Sequence, residues 1–77
     1  MKTLAVNEEF RPMDLGLHET WGFIVEDASG DSELEVFAEG EWRPVKTFDA
    51  DGNYVDTLRR DALYRFSAIE ADAITVY

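Results

Sequence analysis

The sequence predicts an all-β fold, a small antiparallel β-sandwich or barrel of six to seven short strands with an irregular N-terminal arm. From Glu33 to Tyr77, short apolar segments alternate with turn signals, which is typical of a chain of β-hairpins. No apolar pattern of helical period persists beyond about two turns, so any helix is short. The 77 residues include no cysteine. They predict a single domain near the lower size limit for a self-sufficient core, where a partner subunit would add stability.

The N-terminal region, residues 1–19, is predicted to form one short strand and the arm. The strand is expected at residues 3–6. In the arm, residues 7–19, Pro12 and Gly16 interrupt both helical and strand periodicity. The region has no sustained apolar run, so we expect no signal peptide.

The β-sandwich or barrel domain is predicted over residues 20–77, with its strands in chain order. The first strand, residues 20–26, is expected to place Trp21, Phe23 and Val25 on one face. Residues 51–53, Asp-Gly-Asn, are expected to form a turn between two later strands. In the next-to-last strand, Tyr64, Phe66 and Ala68 are expected to share one face, and in the last strand Ile74 and Val76 are expected to point inward.

The hairpin at Glu39-Gly40 has two registers that differ in function. A two-residue loop pairs Phe37 with Trp42 and leaves both rings on a polar face as a binding patch. A three-residue loop with Gly40 in the left-handed region turns Trp42 into the core. We expect the buried Trp42, because a small β domain needs its large aromatic side chains inside.

The charge distribution excludes several classes of partner. The formal net charge is −10, and residues 26–41 contain seven carboxylates and neither Lys nor Arg. We therefore expect no nucleic-acid and no membrane partner. No segment approaches the ~20 apolar residues of a membrane span. Solubility accounts for this acidity, and mimicry of a nucleic-acid backbone toward a basic partner is the alternative.

Residues for catalysis are sparse, and we expect the protein not to be an enzyme. His18 is the single histidine, and no serine has the Gly-x-Ser-x-Gly context of a nucleophile elbow. We assign no catalytic residue, no cofactor and no metal site. Residues 49–53 alternate oxygen ligands, but the EF-hand pattern fails where Tyr54 replaces its Gly and Arg60 its Glu. A looser calcium site shared with residues 26–33 stays open beside a plain turn.

The arm and the strand after it supply the candidate partner-binding residues. They are Phe10, Arg11, Met13, Leu15, Leu17 and Trp21. We expect the apolar side chains of Phe10, Met13 and Trp21 to be exposed, because the arm has no obvious local core to enter. In the alternative, the arm folds back and covers an open end of the sandwich or barrel.

The basic residues of the second half are expected to form cross-strand ion pairs with Glu33, Glu35 and Asp56. Each such pair contributes roughly 0.2 to 1 kcal/mol. These basic residues are Arg43, Lys46, Arg59, Arg60 and Arg65. An acidic side opposite a less acidic one would orient the domain on a charged surface.

Three segments carry a family resemblance that covers a little over half of the chain. They are Leu-Glu-Val-Phe-Ala-Glu-Gly-Glu-Trp-Arg-Pro-Val, Ala-Leu-Tyr-Arg-Phe-Ser-Ala-Ile and Ala-Ile-Thr-Val-Tyr. From Leu34 onward the chain resembles small virion-associated proteins of tailed bacteriophages, particularly head-decoration proteins. The resemblance implies a small β domain that binds a capsid lattice, commonly as a trimer and often with an arm engaging its neighbour.

From this resemblance we expect a non-enzymatic structural protein of the phage virion, made in the host cytoplasm. Its expected partners are the major capsid or another virion protein and further copies of itself. Two alternatives remain. One is an acidic inhibitor or DNA mimic that occupies a basic groove of a host protein. The other is a carbohydrate-binding module that uses Phe37 and Trp42.

Overall fold

The computed structural model describes residues 1–17, 21–56 and 58–77, with the backbone alone for Asp56. These residues form a β-sandwich of two antiparallel sheets, which confirms the predicted fold class. The seven strands of this part of the chain are β1 (Lys2–Thr3), β2 (Trp21–Ala28), β3 (Ser32–Ala38), β4 (Glu41–Phe48), β5 (Gly52–Asp56), β6 (Tyr64–Ala68) and β7 (Ala71–Val76). One sheet has the order β1-β7-β2-β5, and the other has the order β4-β3-β6.

Consecutive strands mostly lie in different sheets, so the expected chain of hairpins is wrong except at β3 and β4. The chain passes from one sheet to the other after β2, β4, β5 and β6. Gly52 and Asn53, expected in a turn, are the first residues of β5. Residues 49–51 therefore connect two sheets. Crossing between the layers brings the apolar faces of the longer strands together.

The β3–β4 hairpin has the two-residue loop, so the expectation that Trp42 enters the core is wrong. Phe37 pairs with Trp42, and Ala38 pairs with Glu41. The physical reason is the turn itself. Glu39 and Gly40 both have positive φ, 54° and 80°, as a type I′ turn requires. The register then shifts between Leu34 and Glu35 at a β-bulge.

The core forms where the inner faces of the sheets meet. Trp21, Phe23 and Val25 lie on one face, as predicted from their alternation, and that face is buried. Phe23 lies at the centre, with T-shaped contacts to the rings of Trp21 at 5.2 Å and Phe66 at 5.3 Å between centroids. The other sheet residues of the buried core are Leu34, Phe48, Tyr64, Phe66, Ile74 and Val76. Ile74 and Val76 are therefore buried as predicted, and on the shared face of β6 Tyr64 and Phe66 are buried and Ala68 is half-buried.

The N-terminal arm is largely irregular, as predicted, but it is bound to the sandwich. The first strand is β1, which pairs with β7 slightly before the expected position. The amide of Asn7 donates to the carbonyl of Phe66 at 2.7 Å, and Phe10 and Tyr64 exchange two backbone hydrogen bonds of 2.8 Å. A 3₁₀ helix, Pro12–Leu15, follows and ends at Gly16, whose φ is 72°. The arm therefore lies along β6.

Candidate interaction surface

The structure separates the six candidate partner-binding residues by exposure. Trp21, Phe10 and Leu17 retain only 1%, 4% and 9% of their surface, so the expectation that Phe10 and Trp21 are exposed is wrong. Phe10 enters the core because its backbone pairs with Tyr64 and its ring packs on Phe23 at 6.2 Å. The arm therefore folds back against the sandwich, which is the alternative that the sequence left open.

The remaining three candidates lie at or near the surface of the arm. Leu15 packs against the core and is partly buried. Arg11 forms an ion pair with Asp14 at 3.6 Å. Met13 is 48% exposed, and its amide donates to the carbonyl of Arg60 at 2.9 Å. Of the apolar candidates in the arm, Met13 is thus the one placed to contact a partner.

Two buried side chains hold residues 58–59 against the core. The indole Nε1 of Trp21 donates to the carbonyl of Leu58 at 3.0 Å. The hydroxyl of Tyr64 donates to the carbonyl of Arg59 at 2.7 Å. These bonds satisfy polar atoms that burial would otherwise leave without partners. They also fix one wall of a groove.

This groove lies between the β3–β4 hairpin and residues 58–62, and its volume is about 440 Å³. It is lined mainly by apolar side chains: Val36, Phe37, Ala38, Val45, Leu58, Ala62 and Tyr64, with Arg59 as the charged member. The guanidinium of Arg59 forms two bonds of 2.9 and 2.8 Å with the carboxylate of Asp61. The pair raises the pKa of Arg59 and lowers that of Asp61. The groove suits an apolar group, and its one charge is already compensated.

An aromatic cluster lies on the outer face of the hairpin, next to the groove. The rings of Phe37 and Trp42 meet edge to face, with centroids 5.3 Å apart. The guanidinium of Arg65 lies over the Trp42 ring at 4.3 Å and donates from Nε to Glu35 at 2.9 Å. Phe37 remains 44% exposed, whereas Trp42 is half-buried. Phe37 is thus a protruding apolar side chain at the edge of an apolar groove.

The expected cross-strand ion pairs form in part. Arg65 pairs with Glu35 across β6 and β3, as predicted. Arg43 instead pairs with Glu41 at 2.8 Å and Glu39 at 3.3 Å, within its own hairpin. Arg43 and both of these partners are exposed, so these pairs contribute little to stability.

The opposite end of the sandwich is acidic, and we call it the acidic end. Its three connections, residues 29–31, 49–51 and 69–70, contain no Lys or Arg and four carboxylates: Asp31, Asp49, Asp51 and Glu70. Glu26, Asp27 and Asp72 lie in the adjoining strand ends, as does Lys46. A side-chain hydrogen bond with Asp72, then the charges of Asp72 and Asp51, raise the pKa of Asp27. Asp51 Oδ1 accepts from the amide of Ala28 at 2.7 Å. Among the described residues, no three His, Cys, Asp or Glu side chains are placed to hold a metal ion.

Sequence reasoning identified Phe37 and Trp42 through the alternative register but missed Leu58 and Ala62 as groove residues. No local pattern marks them, since their position depends on how the β5–β6 connection packs against the other sheet. His18 and Thr20, weighed as catalytic groups, lie outside the described residues. In the part of the chain that is described, no helix is long and apolar enough to cross a membrane. No protein-family model, curated protein or solved structure matches this chain.

Proposed function

We propose that this protein is a non-enzymatic structural protein of a phage virion that attaches to the head surface as a homo-oligomer. The observation that carries the proposal is the apolar groove beside the exposed Phe37. Its lining offers shape and apolar area for binding, while its charged member is already paired with Asp61. The resemblance from Leu34 onward supplies the virion as the place of binding.

The contact surface in this proposal differs from the arm favoured by the sequence. Phe10, Leu17 and Trp21 are committed to the core, where they are unable to contact a partner without unfolding the arm. The groove and Met13 lie at one end of the sandwich, because Met13 is bonded to Arg60, which follows the groove residue Arg59. We propose that this end contacts other protein chains.

The proposal is tested on particles rather than by an activity assay. Phage particles produced in a host that expresses this chain should be purified by density-gradient centrifugation and analysed by mass spectrometry. We expect the protein at a fixed stoichiometry to the major capsid protein, retained after a high-salt wash because an apolar contact resists screening. Its absence from intact particles would overturn the virion assignment.

The acidic end favours a second candidate, an acidic inhibitor or DNA mimic that occupies a basic groove. The carboxylates of Asp27 and Asp72 are close enough to raise the pKa of Asp27, which is the kind of charge density that a phosphate mimic needs. Such a complex should weaken steeply between low and high salt. Association with a basic host protein that survives the high-salt wash would contradict the mimic.

The carbohydrate-binding alternative is less well supported, although Phe37 and Trp42 do lie on the outer face. Sugar rings stack on an open aromatic face. Arg65 covers one face of Trp42, and Phe37 meets the same indole edge to face rather than extending a flat surface. The cluster therefore favours a contact with protein side chains over a sugar platform.

A further inference from the structure

We infer that the groove binds a second copy of this chain, with Phe37 of each copy filling the groove of the other. This deepens the proposed function, on which it rests, by assigning the surface used for self-association. The argument depends on the position of Phe37, on the symmetry that this position allows, and on the distribution of charge.

The groove and the side chain that would fill it lie side by side. The volume of about 440 Å³ falls in the range of roughly 300 to 1,000 Å³ typical of small-molecule pockets, so one aromatic ring fits. Phe37 lines this groove and leaves 44% of its surface exposed. Insertion of the Phe37 ring into the groove of a second copy removes the exposed surface of the ring and the apolar lining of the groove from water together.

The juxtaposition favours a two-fold pair. In a two-fold dimer the same patch is used by both copies, so a protruding residue next to a cavity is self-complementary. Each copy then donates one Phe37 and accepts one. A trimer, which the resemblance implies, would instead need two different patches in a head-to-tail contact.

The distribution of charge favours contact between two copies at the groove rather than at the acidic end. Around the groove, Arg59 is paired with Asp61, and Arg43 is paired with Glu39 and Glu41. These groups together carry one net negative charge, so two copies bring little like charge together there. At the acidic end, by contrast, the three connections hold four carboxylates and no Lys or Arg, with three more carboxylates in the adjoining strand ends, and two copies would repel each other. A strongly basic partner would prefer the acidic end, so the groove suits a second copy better.

The decisive experiment uses two variants that damage different halves of the contact. Phe37→Ala removes the inserted ring but leaves the groove open. Ala62→Trp fills the groove but leaves Phe37 available. We expect the wild type to sediment as a dimer and each variant to dissociate at least tenfold more readily. An equimolar mixture of the two variants should recover a heterodimer, because one Phe37 still meets one open groove.

Controls separate loss of contact from loss of fold. Val55→Ala alters another exposed apolar residue, 59% exposed on β5, and should leave the dimer unchanged. Each variant should unfold in urea in a single cooperative transition, as a folded domain does. If Ala62→Trp does not fold, Ala38→Phe serves as the groove-filling variant, since Ala38 lines the same groove.

The possible outcomes are distinct. A wild type that is monomeric at about 1 mM protein overturns the inference. So does a mixture of two folded variants that stays as dissociated as its components, which would assign the groove to a small apolar molecule or another protein. A trimer insensitive to Phe37→Ala also overturns it. The virion assignment is judged separately, by whether the wild-type chain is found in purified particles.

Discussion

The burial of Phe10 predicts that one residue of an irregular arm contributes a large part of the stability of the whole protein. Phe10→Ala should destabilise the fold by about 3 to 5 kcal/mol, the usual effect of deleting a buried ring. The wild-type side chain is 4% exposed, and its ring contacts Trp21, Phe23 and Tyr64. The total stability expected for 77 residues is about 4 to 12 kcal/mol. The substitution therefore removes a large share of it.

Urea unfolding followed by tryptophan fluorescence measures this loss. With a slope near 1 kcal/mol per molar, the low end of the range for small domains, the midpoint should fall by about 3 M or more. The matched control is Met13→Ala, in the same arm but 48% exposed, which should change stability by less than about 1 kcal/mol. If Phe10→Ala is unfolded without urea, Phe10→Leu provides a milder step. A loss below about 1 kcal/mol for Phe10→Ala would refute the packing of the arm into the core.

Three further predictions concern charge, exposure and backbone packing. Asp72→Asn should raise the melting temperature at pH 7 and leave it unchanged near pH 2. The raised pKa of Asp27 in the folded state means that stability is lost as pH rises through that pKa. Removing Asp72 lowers the pKa of Asp27 and so restores that stability. Asp31→Asn, outside the Asp27 pair, is its control, and a gain that persists near pH 2 would contradict the cause. In acrylamide quenching, Trp42→Phe should remove the accessible fraction of the tryptophan emission. Trp21→Phe should remove the protected fraction, because Trp21 is 1% exposed. Equal quenching of the two variants would be inconsistent with this structure. Gly22→Ala should destabilise by about 1 to 3 kcal/mol or more in urea unfolding, because its Cβ would collide with the backbone carbonyl of Tyr54. Gly30→Ala should cost less than Gly22→Ala, because its Cβ would lie 3.3 Å from the Cβ of Glu70 rather than against a backbone carbonyl.

The sequence predicted the strands well because alternation is local. Trp21, Phe23 and Val25 are buried together as their spacing requires. Alternation identifies the buried face of a strand but does not say which sheet the strand joins, so the crossings between sheets were missed. The two-residue register at Glu39-Gly40 was weighed but not chosen, because burial of Trp42 was given more weight than a turn that places the non-glycine residue Glu39 in the left-handed region. The groove was missed because Leu58 and Ala62 meet the hairpin only through the tertiary packing.

The edges of the two sheets bear on how this protein assembles. On β4, Pro44 has no backbone N–H, and the register shift near Val45 interrupts the ladder. On β6, backbone groups of Tyr64 and Phe66 already form hydrogen bonds with Phe10 and Asn7 of the arm. Both edges of the three-stranded sheet are therefore poor templates for an added strand from another chain. A chain that binds this sheet therefore has to contact its side chains rather than its backbone. The apolar side chains that the sheet leaves available surround the groove beside Phe37.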